Sequence, residues 1–212
     1  DYLIQGYAIN EKRLIALKKT IEIQNRMLSS TLEIDNQELV NVVSEYTNAL
    51  DLLDDYDHQR VKKTKGHKDT YVLKYKDCRK IINSMKFSNQ SKLFGVEKEE
   101  GKLNGILAAV YQNVFGKEVY ETLEDKAAHL LYFLIKDHPF IDGCKRIGAT
   151  LFLEFLNKNG VLVNKGKLLI SSDALVAVTL LAAESKPEEM DIIVRIISNL
   201  LSNKYLFPDK RN

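Results

Sequence analysis

The chain has 212 residues, 45% of them hydrophobic and 28% charged, which is enough to bury a core without staples and excludes a disordered or fibrous chain. Lysine and arginine total 31 against 29 aspartate and glutamate, a formal charge of +2, so no global field points to a nucleic-acid binder. Only three prolines and ten glycines argue against a turn-rich β-sandwich, and the expected class is all-α.

From Glu11 to about Ser30, Leu14, Leu17, Ile21 and Leu28 recur at helical spacing. A second run, Leu39, Val42, Val43, Tyr46, Ala49, Leu50 and Leu53, follows the i, i+3, i+4, i+7 pattern of an amphipathic helix. These two predict an N-terminal helical pair that packs on the rest of the domain, or else serves dimerisation as a homodimer interface. The first residue is Asp1 rather than Met, so an upstream segment is expected. Cys78 and Cys144 lie far apart without ligand spacing, which excludes a disulfide framework and suits a reducing compartment. The longest apolar stretch, Ala174 to Ala183, is about half of a membrane span. The expected location is the cytoplasm, with no membrane partner.

Between Arg60 and Lys80 nine basic residues face only Asp69 and Asp77. That run reads as a solvated face, with a phosphate-attracting patch as the alternative. No aromatic interleaving or nucleic-acid motif accompanies it, so a nucleic-acid partner is not expected. Residues 64–67 read as a loop and Thr70 to Leu73 as a short strand. Helices are predicted near 77–85, 99–115, 122–136, 143–158, 172–184 and 188–203, with Asn159-Gly160 as a C-cap. The segment Phe115 to Glu121 reads as a hairpin or loop. The expected division is an N-terminal helical region and basic linker over 1–70, then a helical core over 71–205.

One stretch carries chemistry: Asp137-His138-Pro139-Phe140-Ile141-Asp142-Gly143-Cys144-Lys145-Arg146. It lies between two strongly apolar helices, a rigid mount for reactive groups. Pro139 disfavours continuing the first helix through His138. Gly143 opens the second, whose first N–H groups lack internal partners. Free amides at Gly143, Cys144 and Lys145, with the helix dipole behind them, suit an anion such as phosphate. Lys145 and Arg146 add positive charge that is disfavoured at a helix start unless an anion compensates it. Asp142 is a hard oxygen ligand of the kind Mg²⁺ takes when phosphates supply the rest. His138 can remove a proton from a hydroxyl nucleophile. The bland alternatives are a capping His138, an Asp142 that caps the following helix, and surface charges at Lys145 and Arg146. Phe140 is a core anchor in either reading.

His138 to Arg146 resembles the signature of the Fic/Doc (Fido) superfamily, His-x-Phe-x-(Asp/Glu)-Gly-Asn-(Gly/Lys)-Arg. The likeness runs from about Tyr71 to Leu201. Gly105-Ile106-Leu107 through Tyr111, Lys126 through Phe133 and Phe155 through Gly160 are similar to RhuM-type Fic-like virulence proteins. The resemblance implies an all-α Fic core in which His138 is the general base for a target Ser, Thr or Tyr hydroxyl. It implies Asp142 as the Mg²⁺ ligand, Gly143, Cys144 and Lys145 as the anion hole, and Arg146 on the nucleotide phosphates. It also implies a target-aligning flap ahead of the motif helix, which by position is Phe115, Gly116, Lys117, Glu118, Val119, Tyr120 and Glu121. The implied reaction is AMP transfer from ATP to a protein hydroxyl, with phosphoryl transfer in the Doc branch. A weakened scaffold that only binds nucleotide or a partner is the third reading.

Three departures stand out. Cys144 replaces the usual Asn, which implies weaker nucleotide binding through surviving backbone donors. Lys145 is the Doc-like choice at its position, and Ala149 stands where many AMP-transferring members carry a second Arg. Glu100-Gly101 is the one Glu followed by Gly or Asn, and Val96 occupies the place of the family's inhibitory Ser or Thr. Any restraint would then come from an inhibitory partner in trans, from an upstream segment, or from another mechanism such as oxidation of Cys144.

Overall fold

The computed structural model describes residues 52–58, 60–62, 66–89, 91–164 and 166–202. The chain forms two units, residues 1–55 with 205–212 and residues 56–204. The N-terminal helical pair predicted over 11–30 and 39–53 lies outside the described residues except for its last two positions, which are helical.

Among the described residues, six α-helices make the body: α1 (Tyr75–Ser84), α2 (Lys102–Val110), α3 (Leu123–Lys136), α4 (Cys144–Lys158), α5 (Ser172–Glu184) and α6 (Met190–Leu201). Two short antiparallel hairpins interrupt them, β1 (Asn113–Val114) with β2 (Lys117–Glu118), and β3 (Val163–Asn164) with β4 (Lys167–Leu168). The protein is all-α, as its composition predicts.

α3 is the axis. It packs against α2, α4, α5 and α6, and all but two of its residues are buried. Thr122 caps it by accepting the Asp125 amide at 3.1 Å, with Glu124 and Asp125 in its first turn and Lys136 in its last, each the sign the helix dipole favours. Its apolar positions, among them Ala127, Leu130, Leu131, Leu134 and Ile135, meet Ile147, Leu151, Phe152 and Phe155 of α4 in one core. Gly148 lets the two helices approach closely, since a Cβ there would sit 3.4 Å from Ile135 and Leu134.

The first turn of α3 is buried yet charged. Lys126 is wholly enclosed, with its ammonium on Asp69 and, at 2.9 Å, on Glu118 of β2. Burial alone would lower its pKa, but the two carboxylates outweigh that and raise it. Glu124 accepts both the backbone N–H of His67, at 2.8 Å, and its ring Nδ1, at 2.6 Å. So part of the basic stretch is structural: His67 and Asp69 tie it to α3, and Arg79 donates to the Gly95 carbonyl at 2.7 Å.

The predicted helix limits hold closely except around α2, which spans 102–110 rather than 99–115. Gly101, at φ +82°, is its N-cap, and the Glu97 carboxylate takes the Leu103 amide at 3.1 Å. At its other end Tyr111 turns its hydroxyl to accept the Leu73 amide, its ring edge-on to Phe155, and the chain enters the β1–β2 hairpin. Both central residues of that turn, Phe115 (φ +50°) and Gly116 (φ +79°), are left-handed, as a tight hairpin of this hand requires. Thr70 to Leu73 is not a strand. The amides of Thr70 and Tyr71 bond the Asn159 side chain instead, each at 2.9 Å, so the segment's partners are side chains at helix ends and not another strand. The β3–β4 hairpin was not anticipated. No helix among the described residues is long and apolar enough to cross a membrane.

Replacing Lys126 with Met should cost about 3–5 kcal/mol, because it strands Asp69 in the interior; urea unfolding measures it, and a loss below about 1 kcal/mol would contradict the pairing. Burial pushes the Cys78 thiol, with help from Asp77, and the Tyr111 phenol each up to about 12 from ordinary values of 9.0 and 10.0. The unfolded chain therefore releases these protons first, so stability is full below pH 9 and falls as pH rises toward 12. Urea midpoints at about pH 8 and about pH 10.5 should show that fall, and Cys78→Ala should flatten it.

Candidate active site

The loop from α3 to α4 is held by backbone pairing that the sequence did not announce. Residues 94–98 lie alongside it: Gly95 N–H donates to the Asp142 carbonyl (3.0 Å), Ile141 N–H to Val96 (2.9 Å) and Lys98 N–H to Pro139 (2.9 Å). These make one parallel bridge, Phe94 with Asp142, and one antiparallel bridge, Glu97 with Phe140. The brace is itself anchored. Glu97 accepts the Tyr75 hydroxyl at 2.7 Å, and Arg79 holds Gly95. Phe140 is buried at 1% exposure and anchors the loop in the core.

Two loop residues have left-handed backbone. Gly143 has φ +97° and serves as the N-cap of α4; a Cβ there would sit 2.4 Å from the Phe94 ring. His138 has φ +44°, uncommon for a residue with a side chain. His138 is exposed.

His138, Asp142, Gly143, Cys144, Lys145 and Arg146 line one cleft of about 300 Å³, together with Lys98, Phe140 and Ile141. The structure thus brings the motif residues to one place. Gly143 is the N-cap of α4, and the first intrahelical bond runs from the Ile147 amide to the Gly143 carbonyl, so the amides without intrahelical acceptors are those of Gly143, Cys144, Lys145 and Arg146. Asp142 does not cap α4. Its carboxylate accepts from Arg146 Nη2 at 2.9 Å, both side chains about two-fifths exposed. The Arg146 guanidinium also lies 4.8 Å from the Phe87 ring centre and 4.9 Å from that of Phe94, a double cation–π contact that orients it. The Cys144 thiol is nearly buried and donates to the Phe140 carbonyl at 3.3 Å. It acts here as a small packing group with an internal partner, unlike the exposed thiol an oxidation switch needs.

Residues 115–121 do not line this cleft. Their hairpin is fastened at the other end of α3, through Glu118 on Lys126 and Tyr120 stacked on His129 with ring centres 3.6 Å apart. Phe115 at its tip is fully exposed. The segment that does lie against the loop is 94–98, and from it Lys98 enters the cleft. Sequence reasoning missed Lys98 because it sits forty residues before the motif with no spacing signal.

The donor set fits Mg²⁺ held jointly with phosphate. One carboxylate, Asp142, faces a cleft lined by cations, and no cluster of three or more His, Cys, Asp or Glu side chains among the described residues could cage a metal by itself. A helix start, three cations, one carboxylate and one imidazole together can bind an anion and take a proton from a hydroxyl placed beside it.

An all-α body that mounts these groups on a braced loop between two buried helices is the class that fold and site define. Residues 69–156 match the model of the Fic/DOC family, and the likeness read from the motif stands on that segment. The chain is also similar to Toxin Doc of Mycolicibacterium smegmatis (strain ATCC 700084 / mc(2)155), with 38% identity over 64 residues, 30% of this chain and 49% of that protein. The match thus spans about half of the relative's length. No solved structure matches the chain significantly.

Gly143→Ala should lower stability more than Gly160→Ala. Both have positive φ, but only the first would drive a Cβ into a ring. The difference should be at least about 1 kcal/mol by urea unfolding, and equal losses would show that Phe94 does not press on the loop.

Proposed function

We propose that this protein is a Fic/Doc-type transferase that moves AMP from ATP to a hydroxyl side chain of a target protein. The observation that carries the reading is the single cleft shared by His138, Asp142 and the start of α4. In this reading His138 takes the proton of a Ser, Thr or Tyr hydroxyl as that oxygen attacks the α-phosphorus of ATP, the bond from the α-phosphorus to the β-phosphate oxygen breaks, and pyrophosphate leaves. The amides from Gly143 to Arg146 bind phosphate oxygens, and Arg146 leaves Asp142 to neutralise the growing negative charge. Asp142, once released, would be the carboxylate that holds Mg²⁺, and the metal's charge would draw electrons from the phosphates when bound. Phe87 and Phe94 keep the guanidinium in place as it changes partner.

A second reading is phosphoryl transfer to the hydroxyl. Lys145 and Ala149 favour it, as does the similarity to a protein named Toxin Doc. A nucleotide-binding module without efficient transfer is the third, and it rests on Cys144. An inhibitory partner in trans belongs with either enzymatic reading.

Label transfer from ATP, with metal present, separates the three. Label on the α-phosphate should move to protein in a lysate or to the chain itself, and His138→Ala should reduce transfer by at least about 100-fold. Transfer of γ-phosphate label alone assigns phosphoryl transfer. No transfer from the parent, or transfer that survives in His138→Ala, overturns the enzymatic reading.

A further inference from the structure

We propose that Lys98 is a phosphate-binding residue outside the motif, one that takes the phosphates of a di- or triphosphate chain beyond the one held at the start of α4. The inference rests on the nucleotide-transfer reading above and assigns it a residue that the motif does not contain.

Three observations converge on Lys98. It lines the same cleft as His138, Lys145 and Arg146 but comes from the bracing segment, so it reaches the cleft from a wall the motif does not build. Its backbone is fixed, because Lys98 N–H donates to the Pro139 carbonyl at 2.9 Å, one residue from His138. The side chain is exposed, while the backbone that carries it to the cleft is held by the loop.

The carboxylates beside it in sequence are engaged elsewhere. Both oxygens of Glu97 are in use, one by the Tyr75 hydroxyl and one by the Leu103 amide. Glu99 faces Lys102 at 3.8 Å. Among the described residues Lys98 has no ion-pair partner, while Arg146 is already shared with Asp142. The charged side chains of the cleft are Lys98, Lys145 and Arg146 against Asp142, 3 − 1 = +2. A helix start and one arginine suffice for a single phosphate. A further unpaired lysine on a separate wall matches a longer, more highly charged chain.

Isothermal titration of the intact protein with ATP and with AMP, both with Mg²⁺ present, tests the assignment. Lys98→Ala should weaken ATP binding by about tenfold or more, as loss of a charge-assisted hydrogen bond does. It should change AMP affinity by less than about twofold, and Lys98→Arg should keep ATP affinity within about threefold. ATP binding in Lys98→Ala equal to the parent overturns the role of Lys98 and leaves the transferase reading standing. Equal losses for ATP and AMP also overturn it, because they mean the lysine acts on the loop or the nucleoside end. A parent that binds neither nucleotide overturns the transferase reading, and this inference with it.

Discussion

A polar loop wedged between two buried helices keeps one shape only if its backbone groups find partners, and everything functional in this protein depends on that condition being met. An unpaired buried amide or carbonyl costs about 1–3 kcal/mol, so a loop without a brace would relax toward solvent. Here residues 94–98 supply three hydrogen bonds, Phe140 plugs the core, and the Phe94 ring fills the space beneath Gly143. The brace in turn depends on Arg79 of α1 and on Glu97, which also caps α2. The shape of the cleft thus depends on two helices that contribute no motif residue.

The same arrangement explains how opposite charges coexist at the start of α4. Cations are disfavoured near a helix N-terminus, yet Lys145 and Arg146 occupy its first turn. Arg146 is stabilised by Asp142 and by two aromatic faces, and these contacts hold it ready without fixing it to the helix dipole. The aromatic contacts of Arg146 do not depend on its pairing with Asp142, since they come from Phe87 and Phe94.

Much of this was legible in the sequence, and what was missed has physical causes. Five of the six helices of the body follow from apolar spacing to within a few residues, because each has a strong cap or an unambiguous apolar face: Thr122 and Ser171 both cap as their residue types suggest. The ends of α2 were misread because they are set from a distance, by the Glu97 carboxylate and by the Tyr111 hydroxyl. Thr70 to Leu73 has strand-like composition but bonds to Asn159, a tertiary contact no local pattern reveals. The motif residues could be placed together because they are adjacent in the chain. Lys98 and the two phenylalanines around Arg146 could not, since they reach the loop only through folding.

The left-handed backbone at His138 makes that position selective in its own right. At φ +44° the main chain accepts glycine freely and tolerates asparagine or aspartate, but it penalises alanine and, far more, valine or isoleucine. A survey of all substitutions at this position would therefore sort by backbone tolerance as well as by chemistry. Residues that keep the bend would leave the loop in its present shape, and β-branched ones would disturb the loop itself. The backbone at His138 thus narrows which single substitutions can remove the imidazole without changing the shape of the loop that presents it.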